Sequence, residues 1–418
     1  MRRKLAFLEG TLYAGGVIAN NVVTTVTIRG IFSRESLNKA LDKVQRRHPL
    51  LNVHIEHGDD GTPYFVQNTI KKDIDVRVVD RSGDEDWKDE FVKECLISFD
   101  AVNSLLLRIV WIKGNDFSDL IFVGHHCICD GRSILNLVHE TLHVLGDPEM
   151  DIGTYNQFSA ILDFVPTYVK RNRANRMIAK CLPVLTKIAL RFASFKKEIS
   201  RNSPYFIHWK LSVEESKAIF EQCKVRGLSI HAFFCAVFLR AFGDVEGRKR
   251  QLKLFCSIDM RRFIKEVKND MLFAFPAMVP LHLNKNPSRN VWQQAEVLKT
   301  TLSRRIEKLS VYDTLAFSEG LTTLIPQITE YAKKDKGTHA FTFSNMGLVQ
   351  LADQYNGLIV ENLYSPASIF ALGNPSTLSI TCFKAQIDFM FTSDENFLPH
   401  ASAQAFQTRA LEIIRTSL

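Results

Sequence analysis

The 418-residue chain contains no apolar run approaching the ~18 residues that a membrane-spanning helix requires, so a soluble globular protein is expected. Its basic start, Met1 to Gly10, has an apolar stretch too short and too acid-interrupted for a secretion signal. Glycine (20 residues) and proline (13) are sparse, which excludes collagen-like and low-complexity chains. The eight cysteines lack the spacing of a disulfide framework, so reduced thiols in a cytoplasmic compartment are expected. No repeat at solenoid periods is present. The net charge is +8, yet no helix-turn-helix, zinc-finger or RNA-recognition pattern accompanies it, and nucleic acid is not expected as a partner.

What charge there is sits in one place. Between Pro166 and Arg201 there are ten lysines and arginines and one acid, Glu198, leaving the rest of the chain near neutral. Tyr168, Met177, Leu182, Leu185, Ile188, Leu190 and Phe192 are interleaved with these charges, which predicts an amphipathic helix broken near Pro183.

Elsewhere, strand and helix signals alternate. The β-branched run Val22 to Arg29 suits a strand. After Ser33, the spacing of Leu37, Ala40, Leu41 and Val44 predicts a helix, which Pro49 ends before a strand over Leu50 to Ile55. Asp59, Asp60 and Gly61 form a turn. Ile74, Val76 and Val78 alternate as a half-buried strand does, and Trp87, Phe91 and Cys95 mark a helix. Leu105 to Ile112 and Leu120 to Val123 read as strands buried on both faces, and Ser133 as the cap of a helix reaching about Leu145. In the second half, Ser212 and Glu215 make a capping box, and Ser229 caps a phenylalanine-rich helix. Strands are expected at Leu252 to Ile258, Ala340 to Ser344, Leu378 to Phe383 and Ile387 to Thr392, and helices at Trp292 to Leu309 and at the C-terminus. The division this implies is an N-terminal unit over 1–165, a basic crossover over 166–205 and a C-terminal unit over 206–418.

The most informative stretch is Leu120-Ile-Phe-Val-Gly-His125-His126-Cys127-Ile128-Cys129-Asp130-Gly131. An apolar strand runs into two histidines, then an acid and a glycine, just before a helix. That order puts an imidazole at the end of a buried strand, where a neutral ring is the usual general base near pH 7. Gly131 would let the backbone turn tightly, and Asp130 can hold the loop. Cys127 and Cys129 invite a metal reading, but adjacent side chains on an extended segment point to opposite faces, so one ion cannot collect the cluster. The same geometry argues against a nucleophilic Cys–His pair, and both thiols are expected to pack as small hydrophobes. His48, His54, His139, His143, His231 and His282 lack such a context and read as structural or exposed. The helix from His231 to Phe242 reads as core rather than as a ligand box.

The pattern His-His-x-x-x-Asp-Gly resembles the signature of the superfamily that holds chloramphenicol acetyltransferase, nonribosomal peptide condensation domains and polyketide-associated acyltransferases. Wax ester synthases, alcohol acetyltransferases and the plant BAHD acyltransferases also belong to it. Arg47-His48-Pro49-Leu50-Leu51, Ser257-Ile-Asp-Met-Arg261-Arg262 and Phe343-Ser344-Asn345-Met346-Gly347 are similar to further family segments and occur in the same order. The Asp-Phe-Gly-Trp-Gly segment of the BAHD branch is absent. No carrier segment with a phosphopantetheine serine is attached, so a module of a fused synthetase is not expected.

The resemblance implies an α/β fold of two chloramphenicol acetyltransferase-like subdomains, each a mixed sheet with helices, with an active-site tunnel between them. It implies direct acyl transfer from a coenzyme A or phosphopantetheine-linked thioester, with no metal and no permanently bound cofactor. His126 would take the acceptor's proton and His125 would support it. Asp130 would turn away and pair with Arg261, with Arg262 in reserve, while Ser344 and Asn345 are candidates for oxyanion or substrate contact. An alcohol acceptor, giving an ester, is the leading reading. The alternatives are an amide-forming condensation enzyme and an inactive binding or scaffold protein. A monomer is expected, because one chain holds both halves. The basic segment 166–201 has three open readings: a solvated crossover, a dock for an acidic acyl carrier protein or coenzyme A phosphates, and peripheral contact with an anionic membrane that supplies a lipid acceptor.

Overall fold

The computed structural model describes residues 2–16, 18–156, 161–193, 198–247, 252–274, 276–283, 290–370 and 372–418. Lys196 and Lys197 of the basic segment lie outside them. Among the described residues, two six-stranded sheets and one three-stranded sheet carry the architecture.

The first large sheet is built on the strand Asn21–Arg29, whose β-branched side chains are buried along almost its whole length. It pairs antiparallel with Phe117–His125, setting Asn21 opposite His125. Leu107–Lys113 comes next, followed by Asp75–Asp80 in parallel. Val78, expected inside, is exposed because Asp75–Asp80 is the edge strand. Helix Arg34–Arg47, capped by Ser33, buries Leu37, Ala40, Leu41 and Val44 and packs on helix Gly131–Gly146. Helix Asp86–Leu96 presses Trp87, Phe91 and Cys95 inward. The expected strand at Leu50 begins later: Pro49–Asn52 forms a 3₁₀ turn, and the strand runs from Val53 to His57.

The second large sheet runs Pro276–His282, Lys253–Asp259, Phe341–Leu348, Thr377–Phe383, Gln386–Asp394, Pro204–Lys210. Helix Ile230–Glu246 packs with helices Val291–Glu307 and His400–Ser417 over it, with Phe233, Phe234, Phe238 and Phe242 fully buried. The halves interpenetrate. The ribbon Gln354–Tyr355 and Leu358–Leu363 leaves the segment 206–418 and extends the first sheet along Asn21–Arg29. Trp87 of the first half lies 4.0 Å from the Tyr364 ring and 6.0 Å from that of Phe206, forming an aromatic seam between the sheets.

The basic crossover departs from expectation. Helix Arg173–Ala193 runs unbroken through Pro183. Proline leaves the carbonyl four residues earlier, that of Ala179, without its helical donor. Gly320 packs at that spot: a Cβ there would lie 2.8 Å from the Ala179 oxygen and 3.6 Å from the Pro183 ring. Close packing of Gly320 therefore covers the carbonyl that Pro183 leaves without a helical donor.

Candidate active site

Strand Phe117–His125 delivers the two histidines to a turn anchored at both ends. The His125 amide donates to the Leu106 carbonyl at 2.8 Å, and the His126 amide to the Asn20 carbonyl at 2.8 Å. Cys129 folds back onto the strand, and Gly124 makes room for it: a Cβ at Gly124 would lie 2.5 Å from Cys129 Sγ.

His125 and His126 part ways at once. His125 is buried between the Tyr13 and Phe99 rings, and its Nδ1 accepts from the Cys127 amide at 3.2 Å. Burial pushes its pKa down to about 3, with His126 and Arg108 adding to the effect, so it stays neutral. His126 keeps part of its surface accessible. Its Nδ1 is 2.9 Å from the Cys129 carbonyl, which can only accept, so Nδ1 carries the proton and Nε2 carries the lone pair. Burial lowers the His126 pKa from its usual 6.5, opposed by the Cys129 carbonyl and Asp130. The ring is therefore neutral at pH 7, with its proton on Nδ1.

Asp130, not Ser133, caps helix Gly131–Gly146: its Oδ1 accepts from the Ser133 amide at 2.9 Å. The same carboxylate meets Arg261 in a two-pronged pair, Nη1 to Oδ2 at 2.7 Å and Nη2 to Oδ1 at 3.1 Å. Burial would raise the Asp130 pKa, but the Arg261 charge and hydrogen bonds outweigh it and hold the group ionised below the usual range. Arg261 is 1% exposed and also donates to Ser133 Oγ at 2.6 Å, to Asp259 Oδ1 at 3.1 Å and to the Phe273 carbonyl. One guanidinium thus ties the start of the histidine helix to the second half. Arg262 plays no such part: it lies over the Phe263 ring at 4.7 Å.

Gly131 does not have the turn-forming role expected of it. It has no positive φ and is the first helical residue. Its missing side chain instead admits Met346, whose Cε would be 2.5 Å from a Cβ there. Met346 follows Ser344 and Asn345 on strand Phe341–Leu348, so this segment does reach the histidine turn, through its methionine. Ser344 is half-buried opposite Ser379, and Asn345 Oδ1 accepts from the Gly347 amide at 2.8 Å where the strand bulges. Cys127 and Cys129 are fully buried, and burial keeps both as thiols.

Sequence reasoning missed several supports. Asn20 holds the His126 amide and, through Nδ2, the Leu12 carbonyl at 2.7 Å. His48 Nε2 meets Glu140 Oε2 at 2.6 Å, and Arg47 bridges Glu140 (2.9 Å) and Asp270 (2.6 Å), bracing the histidine helix from its far side. Asp259 could have been found, since it is the acid of the Asp-x-Arg stretch. Asn20 gives no local signal.

The segment 13–153, which holds the whole turn, matches the family model of the condensation domain. Over 116 residues the chain is 30% identical to the beauvericin nonribosomal cyclodepsipeptide synthetase of Gibberella fujikuroi, which is 28% of this chain and 4% of that protein. Among solved structures, the trichothecene 15-O-acetyltransferase from Fusarium sporotrichioides superposes with a TM-score of 0.74 at 12% identity, covering 99% of this chain and 94% of that one. The first condensation domain of the calcium-dependent antibiotic synthetase gives 0.72 at 14% identity, covering 99% and 96%. The chain therefore has the fold of these condensation domains and of the acetyltransferase. Within this condensation fold, the His126 turn and the Arg261 arm come from different sheets and meet at the start of helix Gly131–Gly146.

Proposed function

We propose that this protein is an acyltransferase that moves an acyl group from a coenzyme A or carrier-bound thioester directly to a hydroxyl acceptor. His126 Nε2 accepts the hydroxyl proton as the oxygen attacks the thioester carbonyl. The carbon–sulfur bond then breaks, and the departing thiolate takes the proton back from the imidazolium. No acyl-enzyme forms. The observation that carries this reading is the Nδ1–Cys129 carbonyl hydrogen bond, which leaves the Nε2 lone pair free on a ring that stays partly accessible in an otherwise buried turn. Likeness to an O-acetyltransferase supports a hydroxyl acceptor. Likeness to condensation domains favours an amine as the second reading.

The test is acceptor-dependent thiol release from a panel of acyl thioesters, with the product identified by mass. Ester formation with alcohols, lost in His126→Ala, is the expected result. Amide formation alone would transfer the proposal to an amine acceptor, and thiol release independent of any acceptor would reject it.

A further inference from the structure

Away from the histidine turn, three other side chains converge beneath the phenylalanine helix. His231 and Cys235 stand one turn apart on helix Ile230–Glu246, and Cys256 lies on strand Lys253–Asp259. His231 Nε2 is 3.2 Å from Cys256 Sγ, Cys235 Sγ is 3.8 Å from it, and the three atoms all lie within 4.8 Å of one another. A tetrahedral zinc ion, with bonds of about 2.3 Å to sulfur and 2.0–2.1 Å to nitrogen, needs a sulfur–sulfur edge of about 3.8 Å and sulfur–nitrogen edges of about 3.6 Å. The sulfur pair already has that edge, and a small rotation of the imidazole adjusts the other two.

The surroundings suit an ion of this charge. Both thiols are fully buried among aromatic rings, while His231 is half-buried, 5.0 Å from the Phe343 ring, and gives the route in. Two thiolates and a neutral imidazole cancel a 2+ charge, so the loaded site would leave no net charge in an apolar core. We propose that His231, Cys235 and Cys256 bind a zinc-class divalent ion, with water or a further ligand in the fourth position. The ion would clamp the phenylalanine helix to the strand that leads into Arg261.

The experiment is titration of the reduced, chelator-stripped full chain with Co2+. One equivalent should produce a thiolate-to-cobalt charge-transfer band with tetrahedral d–d bands, displaced by Zn2+, and Zn2+ should raise the thermal midpoint. Cys256→Ser and Cys235→Ser should abolish the band and His231→Gln should weaken uptake at least tenfold, while Cys181→Ser, an exposed thiol, should keep it. If a serine variant misfolds, the wild-type titration and His231→Gln decide. No band in the wild type, a band that persists in folded Cys256→Ser, or a Cys235–Cys256 disulfide that reductant does not open overturns the site.

A separate observation concerns the crossover helix. Its inner side is fixed: Asn175 Nδ2 donates to Asp313 Oδ1 at 2.6 Å, and Ala179 and Pro183 meet Gly320. The opposite side carries Met177, Ile178, Cys181, Val184, Leu185 and Ile188, all exposed, as one stripe three turns long. Arg173, Arg176, Lys180 and Lys187 run along one border of it. A helix that turns an apolar stripe outward beside a basic row has the make-up of one lying in the plane of an anionic membrane. We infer that Arg173–Ala193 docks on an anionic lipid surface, with the stripe in the headgroup layer and the bases on its phosphates.

The 418-residue chain should co-sediment with phosphatidylserine-containing vesicles and not with phosphatidylcholine vesicles. Arg176→Gln and Lys180→Gln should each weaken binding ~5-fold, and Leu185→Asp should abolish it. Equal affinity for both vesicles, or binding unmoved by Leu185→Asp, overturns the inference. Capture of an acidic acyl carrier protein through the same residues, with vesicles unbound, would also overturn it.

Discussion

Replacing Arg261 by methionine should show how the base is aimed. The substitution keeps most of the side-chain volume and removes the charge, leaving the Asp130 carboxylate inside with Ser133 as its donor and no counter-charge. Breaking one side of a buried ion pair costs about 3–5 kcal/mol. Asp259 adds little to that loss, because it is partly exposed and keeps Arg132 at 3.1 Å. Asp130→Asn should cost less, since asparagine caps a helix as well as aspartate and the buried Arg261 it leaves behind keeps the Asp259 carboxylate at 3.1 Å. Combining the two should recover stability, with a coupling of about 0.5–3 kcal/mol. Acyl transfer should fall with stability, because Asp130 fixes the turn that carries His126, and a displacement of ~1 Å at the reacting centre costs about 10²-fold. Urea unfolding and steady-state transfer on the same four proteins read both quantities. If Arg261→Met stays within about 1 kcal/mol of the wild type and transfers normally, or if the pair is strictly additive, the ion pair does not position the site.

Further expectations concern pH and packing. The His126 pKa is lowered in the folded protein, so transfer should be flat above pH 6.5 and lost only as pH falls below it. An acid limb above pH 7 in the kcat/KM profile would contradict a buried neutral base. For His125 the folded value near 3 lies below the unfolded 6.5, so the unfolded chain binds the extra proton. Its stabilising contribution is complete above pH 6.5 and declines towards about pH 3, and His125→Gln should remove about 1 kcal/mol of the stability lost between pH 6 and 5. An unchanged urea midpoint difference between those two pH values would refute this. Gly124→Ala should cost about 1–3 kcal/mol by thrusting a methyl into Cys129 in a packed turn, whereas Gly131→Ala meets only the flexible end of Met346 and should cost less. Thermal melts that reverse this order would show the turn to be looser than its contacts imply.

Much of the frame was legible because local rules set it. The β-branched run before Arg29 and the apolar stretch before His125 became neighbouring buried strands, and Ser33, Ser212 and Ser229 all cap helices. At the histidine helix the same rule misled by three residues. Asp130 and Ser133 both suit a cap, and the deciding factor, that the Ser133 amide is the donor the Asp130 carboxylate accepts, depends on the turn behind it. Propensity at Pro183 predicts a break, whereas in the fold the helix continues and Gly320, far along the chain, packs against the carbonyl the proline leaves free. The ribbon 354–363 and the Asn20 contact depend on pairing across hundreds of residues or around a turn, where periodicity is silent. His231 and Cys235 share one helical face, but the third member, Cys256, lies on another element and joins them only in the fold.

The most direct test of the central claim compares wild type and His126→Ala in product formation from an acyl thioester and a reactive acceptor at pH 7.5, once unfolding curves show that both fold equally well. General-base catalysis of this kind contributes about 10²–10⁴-fold, so the variant should fall by that factor with the thioester KM little changed. A rate within tenfold of the wild type would mean that some other group takes the proton.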